Sequence, residues 1–292
     1  MKTIKIIAFA CVGLLLFGCG SSNTEEKKAS FEELANEEEF REKHDEPRED
    51  ADSDHSGSMT ELSIEGAPSA NAYVHMNEES NIYLLLFHEW WGLNDYIKAE
   101  ADAWHEKLNG ANVIALDLYD GKVATERDSA QKYMQSADQD RIYQIIDAAL
   151  ASIPENARIG TMGWCFGGGW SLKGSIAAGE RAEACVMYYG MPVTEVDELK
   201  KLEADVLFIY GTKDKWINEE VANQFAENMK MTDEDVIIKA FDADHAFANP
   251  TQERYNEGAA AEANAIALEF LKNELLSDDD LEEEKDLDKS ED

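Results

Sequence analysis

The stretch NIYLLLFHE, residues 81–89, sets an apolar side chain at every position from Ile82 to Phe87. In an extended chain successive side chains point to opposite faces. A strand made from these residues has no face to show to water and must be covered on both sides, as strands of a parallel sheet are. NVIALDLY (112–119), ARIGTMGW (157–164), AEACVMYYG (182–190), ADVLFIYG (204–211) and DVIIKAF (235–241) are further strand runs. Helical periodicity fills the gaps: from an Asn94 cap to Gly110, twice between Thr125 and Ile153 with Pro154 as the stop, from Cys165 to Gly179, over 217–230, and over 256–276. This alternation predicts an α/β fold, a mostly parallel central sheet with helices on both faces. The alternating segments TELSIEG (60–66) and NAYVHM (71–76) predict a hairpin in front of it.

The two ends of the chain read differently. Residues 1–18, MKTIKIIAFACVGLLLFG, place two lysines before an apolar run and small residues before Cys19. That pattern predicts a secretory signal, too short for a stable membrane span. Leu16-Phe17-Gly18-Cys19 resembles a bacterial lipoprotein signal, which implies a lipid on Cys19 and a protein anchored in the cell envelope outside the cytoplasm. The rest of 19–58 is rich in Glu, Asp and Ser and poor in apolar residues, so it reads as an acidic, disordered tether. Residues 277–292 read as a second acidic, disordered tail. One α/β domain is expected over 59–276.

The net charge of −36 reaches beyond the tether and tail into this domain and argues against nucleic acid as a partner. Of the four cysteines, Cys11 falls in the signal and Cys19 at its end, leaving Cys165 at a turn and Cys185 in a strand, both expected free. His44 and His55 lie in the tether, where neighbouring carboxylates would hold a divalent ion only weakly; no zinc-site spacing occurs. No metal or cofactor is expected.

Ligands of such sheets bind beyond the carboxyl ends of the strands. The residues arriving there include His88 to Gly92 after the first buried strand, Cys165 after the central one, Asp214 after Tyr210-Gly211, and Asp242 to His245 after Phe241. A nucleophile, an acid and a base come to one edge in that order. Gly163 and Gly167 suit the tight turn, and the helix that follows Cys165 points amides and its positive dipole end at the sulfur, which favours thiolate. His245 can take the proton and Asp214 can fix its tautomer. His88 reads better as a strand-end packing residue. Asp242 and Asp244 are rivals to Asp214 that better suit loop shaping.

GWCFGG (163–168), the loop from Gly211 to Asp214, DADHAFANP (242–250), HEWWGLNDYIKAEADAW (88–104) and RYNEGAAAEANAIALEFL (254–271) together resemble the dienelactone hydrolase family, over about residues 60–276. The resemblance implies an α/β-hydrolase fold and cleavage of a small-molecule ester or lactone. It implies Cys165 as nucleophile, Asp214 and His245 as triad partners, and Glu89 as a carboxylate near the resting thiol that moves away when substrate binds. The backbone N–H groups of Trp90 and Phe166 correspond to the oxyanion hole, where one donor contributes roughly 3–4 kcal/mol to transition-state stabilisation. In dienelactone hydrolases proper an arginine four residues after the histidine holds the substrate carboxylate; here that residue is Asn249. Trp91, Trp164, Trp216 and Phe247 flank the motifs and suggest a neutral, apolar or aromatic acyl group, although the same residues would serve equally as core. Two other readings stand beside this one: a non-catalytic surface binding module on a hydrolase scaffold, and a thioesterase or other acyl transferase with the same triad.

Overall fold

The computed structural model describes residues 34–48 and 55–276. The expected signal, the lipidated Cys19 and the acidic tail lie outside the described residues. Eight strands form one sheet: β1 (Ser58–Leu62), β2 (Ala70–His75), β3 (Ile82–Phe87), β4 (Asn112–Leu116), β5 (Arg158–Trp164), β6 (Ala182–Tyr188), β7 (Asp205–Gly211) and β8 (Val236–Phe241), in the spatial order β1-β2-β4-β3-β5-β6-β7-β8. The expected hairpin is present, since β1 pairs antiparallel with β2, and β2 pairs antiparallel with β4. Every pairing from β4 through β3 to β8 is parallel. All six side chains of β3 are buried, as its lack of a polar face requires.

The main helices are α2 (Asp95–Lys107), α3 (Arg127–Ser136), α4 (Gln139–Ser152), α5 (Phe166–Ala178), the short α6 (Val196–Leu199), α7 (Glu219–Met229) and α8 (Glu257–Leu275), preceded by a five-residue helix α1 (Glu38–Glu42). Their starts follow from local chemistry. Asn94, Asp138, Asn218 and Asn256 each accept a backbone N–H with the side chain, satisfying a donor the first turn leaves over. Neighbouring residues of β5 show that helices cover both faces. A Cβ on Gly160 would meet Leu271 and Leu275 of α8, whereas the Thr161 hydroxyl donates to the Ser171 carbonyl of α5.

Residues 34–48, assigned by composition to a solvated tether, lie against the domain. Leu34, Ala35, Phe40 and His44 are buried. Phe40 packs edge-on against Trp90 and Trp216, at centroid distances of 5.9 and 5.0 Å. Trp216 Nε1 donates to Glu37, Arg127 Nε donates to the His44 carbonyl at 2.7 Å, and Arg48 N–H donates to the Thr251 carbonyl. Lys215 pairs with Glu39. The apolar residues in this acidic segment are few, but Phe40 and His44 stand one helical turn apart and so reach the same surface.

Candidate active site

The turn from β5 to α5 holds Cys165 at φ +54° and ψ −118°, a strained conformation for a residue with a side chain. Two close approaches enforce it. A Cβ on Gly163 would come 2.1 Å from the Gly167 carbonyl oxygen, and one on Gly167 would come 2.1 Å from that of Phe87. Glycine at both positions lets the start of α5 press onto β3 and β5, which throws the Cys165 side chain up from the sheet edge. The N–H groups of Phe166 and Trp90 are directed at Sγ. The two residues expected to form the oxyanion hole therefore converge on one point.

His245, in the loop after β8, donates from Nδ1 to Asp214 Oδ2 at 2.5 Å, and both side chains are fully buried. The other oxygen, Asp214 Oδ1, accepts the N–H groups of Trp216 and Ile217 at 2.9 and 3.0 Å, so the carboxylate is held on both sides. Asp242 and Asp244 do other work: Asp242 pairs with Lys213, and Asp244 accepts the His245 N–H. His88 is a structural residue. Its Nδ1 donates to the Glu89 carbonyl and its Nε2 accepts from Leu118 N–H, leaving neither nitrogen for substrate.

The thiol differs from the sequence reading in its ionisation. Burial pushes the Cys165 pKa well up, the negative charge of Glu89 pushes it further, and the N–H groups of Phe166 and Trp90 only partly oppose them. The helix dipole is outweighed, and the resting residue is a thiol. Glu89 is itself buried. Asn249 Nδ2 donates to its Oε2 at 2.5 Å and Tyr189 OH donates to its Oε1 at 3.5 Å. Asn249 in turn is fixed by Thr251, whose N–H and hydroxyl both donate to its Oδ1. The position that departs from the family's arginine is thus a clasp on Glu89.

Burial raises the Glu89 pKa from 4.5 to about 7, although Asn249, His245 and Tyr189 pull it down. The folded state therefore holds this proton more tightly than the unfolded chain does. Stability falls as pH rises from the ordinary carboxyl range through about 7, and the ionised carboxylate costs the fold about 3 kcal/mol above that window. Glu89→Gln is expected to raise unfolding free energy by up to that amount at about pH 8 and to change little near pH 4. Urea unfolding at the two pH values measures it. The same variant removes a like charge from the thiol, so alkylation of Cys165 should quicken.

Sequence reasoning missed three participants. His44 comes from the segment read as tether. It is buried, its Nδ1 donates to the Phe40 carbonyl at 2.7 Å, and its ring meets His245 at 5.0 Å between centroids. Burial pushes its pKa well below the ordinary histidine value, with the His245 charge adding to this. Tyr189, at φ +38° immediately after β6, lays its ring 5.1 Å from that of His245. Arg254 has all three guanidinium nitrogens buried with no hydrogen-bond partner among the described residues, its nearest charge being Asp244 at 3.8 Å. It is close enough to bias both His44 and Glu89. Arg254 lies nine positions past the histidine, within the loop leading to α8, not at the position four past it that Asn249 occupies.

Cys165 itself is 1% exposed, and Cys165 and Cys185 are both free thiols. A cleft of about 660 Å³ is lined by Phe166, which follows Cys165, and by Trp170, Trp216 and the incoming Leu34, among others; Cys165, Asp214 and His245 do not line it. Of the four aromatic residues expected to flank a substrate, Trp216 lines this cleft. Trp91, Trp164 and Phe247 are fully buried in packing, Trp91 against Trp90, Trp164 against Tyr188 and Phe247 against Tyr189.

The model of the dienelactone hydrolase family matches residues 71–275. Protein usf of Aquifex pyrophilus is 26% identical over 75% of this chain and 99% of its own length. Carboxymethylenebutenolidase 1 of Cupriavidus pinatubonensis is 25% identical over 56% of this chain and 74% of its own. The crystal structure of dienelactone hydrolase from Anabaena variabilis superposes with a TM-score of 0.56 at 18% identity, covering 76% of this chain and 99% of that one, and shares the fold.

Proposed function

The chain belongs to the dienelactone hydrolase family, and from that premise we propose that it hydrolyses carboxylic esters or lactones through a thioester on Cys165. The observation that carries the reading is the convergence on one sulfur of two backbone N–H donors and of a histidine locked to a buried aspartate. His245 accepts the thiol proton while Sγ attacks the acyl carbon. The carbonyl oxygen gains the negative charge and takes up the N–H groups of Trp90 and Phe166. The leaving alkoxide then collects the proton from His245 as the C–O bond breaks. Water attacks the thioester, gives its proton to His245, and expels the free acid and the thiolate, which takes that proton back from His245 to restore the resting thiol. Glu89 keeps the resting sulfur protonated, and its displacement by the acyl group frees the thiolate. Intact mass measured while a chromogenic ester turns over tests the scheme. An acyl adduct on Cys165 is expected; a binding module would show none, and thioesters added to the panel would reveal a thioesterase.

The guanidinium of Arg254, buried without a hydrogen bond, favours an acyl group that carries a carboxylate over the neutral one suggested by the aromatic residues. Arg254→Gln should raise KM for a carboxylate-bearing ester by roughly tenfold or more, and leave KM for its methyl-capped analogue nearly unchanged. Equal effects on both would exclude this reading. The lipid anchor rests on Leu16-Phe17-Gly18-Cys19 alone. Cys19→Ser is expected to move the protein from the membrane fraction to the soluble fraction on ultracentrifugation.

A further inference from the structure

The residues 34–48 bring a third electron-pair donor to the two that hydrolysis needs. One ligand atom each from His44, Cys165 and His245 lies within 4.8 Å of the other two, and all three residues are buried. They come from distant parts of the chain, so no spacing in the sequence announces them. The orientation of each imidazole follows from its hydrogen bonds. His44 uses Nδ1–H to donate to the Phe40 carbonyl, which can only accept, so its Nε2 carries a lone pair. That Nε2 is buried and has no hydrogen-bond partner among the described residues. His245 uses Nδ1–H to donate to Asp214, so Nε2 is the nitrogen it offers to a cation.

Two imidazole lone pairs and a sulfur facing one another have a single proton among them, that of the thiol. With His44 Nε2 lacking a hydrogen-bond partner among the described residues, such a set suits a borderline-soft cation. Both rings also have the support that metal-binding histidines usually have, the second N–H being given to a carboxylate or a backbone carbonyl. A tetrahedral zinc site with ordinary Zn–N and Zn–S bonds sets its donors roughly 3.3–3.6 Å apart, so from within 4.8 Å each pair has to close by at most about 1.5 Å on binding. Arg254 adds an opposing positive charge nearby, and the Glu89 and Asp214 carboxylates counter it.

We propose that His44, Cys165 and His245 form a zinc site that switches the hydrolase off. Binding releases the thiol proton to solvent, forms a Zn–S bond and two Zn–N bonds, and leaves a fourth position for water. The sulfur that would attack and the nitrogen that would accept its proton are then both engaged. The regulatory half of this inference rests on the reading of Cys165 as nucleophile; the binding half does not.

The full chain, reduced and stripped of metal with a chelator, is titrated with Co²⁺ and then with Zn²⁺. Sulfur ligation is read from the thiolate-to-cobalt charge-transfer absorption in the near ultraviolet, and ester hydrolysis is followed in parallel. A single equivalent of Co²⁺ should produce the band, Zn²⁺ should displace it and stop hydrolysis, and chelator should reverse both. His44→Ala should weaken Co²⁺ binding by at least about a hundredfold, at or above the upper end of what losing a residue that only hydrogen-bonds to a ligand costs. His44→Phe, which keeps an aromatic ring against Trp90, should do the same, with far-ultraviolet circular dichroism reporting the fold of both. The site is overturned if the wild-type chain gives no thiolate band, or if either folded His44 variant binds Co²⁺ as tightly as wild type. If hydrolysis survives Cys165→Ala, the proposed mechanism fails, while the cobalt band still decides the site. If the band forms and Zn²⁺ leaves Cys165-dependent hydrolysis untouched, the switch is overturned.

Discussion

Cys165→Ala is expected to lower ester hydrolysis by roughly four to six orders of magnitude and to leave the fold standing. The size of the loss follows from what the side chain does at its position. Everything the turn between β5 and α5 achieves, from the glycine-enforced contact with β3 to the strained backbone at φ +54°, serves to raise one sulfur into two N–H groups. Alanine tolerates the same backbone angles about as poorly as cysteine does, so the strain is carried over rather than increased. The lost sulfur leaves a small gap in a buried site, a change of about 1–2 kcal/mol. Initial rates on a short-chain ester, together with intact mass, check the outcome. Wild type should accumulate an acyl adduct and the variant none. Full activity in the variant would mean that the acyl group is never carried by the protein at this position.

The fold was legible because its strands are buried on both faces, which is a local property of sequences such as IYLLLF, and because Asn94 announces a helix start by its side chain. The juxtaposition of Cys165, Asp214 and His245 was legible for a related reason. Parallel strands bring their carboxyl ends to one edge, so chain order and strand ends suffice to list what meets there. The charge state of the thiol was not legible. The dipole of α5 is visible in sequence, but burial and the proximity of Glu89 belong to the tertiary structure and oppose it with greater effect. Asn249 could be read only as a missing arginine; that it holds Glu89 depends on a contact between the loops after β3 and β8. The docking of residues 34–48 was hidden by composition. Averaging over an acidic stretch obscures Phe40 and His44, and a five-residue helix is too short for a period to emerge. Its receiving surface is made of Trp90 and Trp216, brought together from the ends of β3 and β7.

Asp214→Asn should lower kcat by about 10³–10⁴ while changing stability little, a combination that distinguishes the tautomer from the scaffold. Oδ1 of Asp214 accepts two backbone N–H groups, from Trp216 and Ile217, and Oδ2 accepts Nδ1–H of His245. An asparagine in this place has one oxygen and one NH₂ group. Turning the NH₂ toward the two backbone donors would set hydrogen against hydrogen in a buried site, so the oxygen must stay there and the NH₂ must face His245. The imidazole can meet that NH₂ only with a lone pair on Nδ1, which moves its proton to Nε2. A histidine with hydrogen on Nε2 cannot take the proton of Cys165, and the rate falls although every heavy atom stays in place. Asp214→Ala, by contrast, leaves the two backbone N–H groups without an acceptor and should lose about 1–3 kcal/mol of stability for each, in addition to the rate. Urea unfolding and steady-state kinetics on the two variants separate the effects. Equal losses of kcat with unequal losses of stability are expected, because the proton on His245 and the packing of the loop after β7 depend on opposite oxygens of one carboxylate.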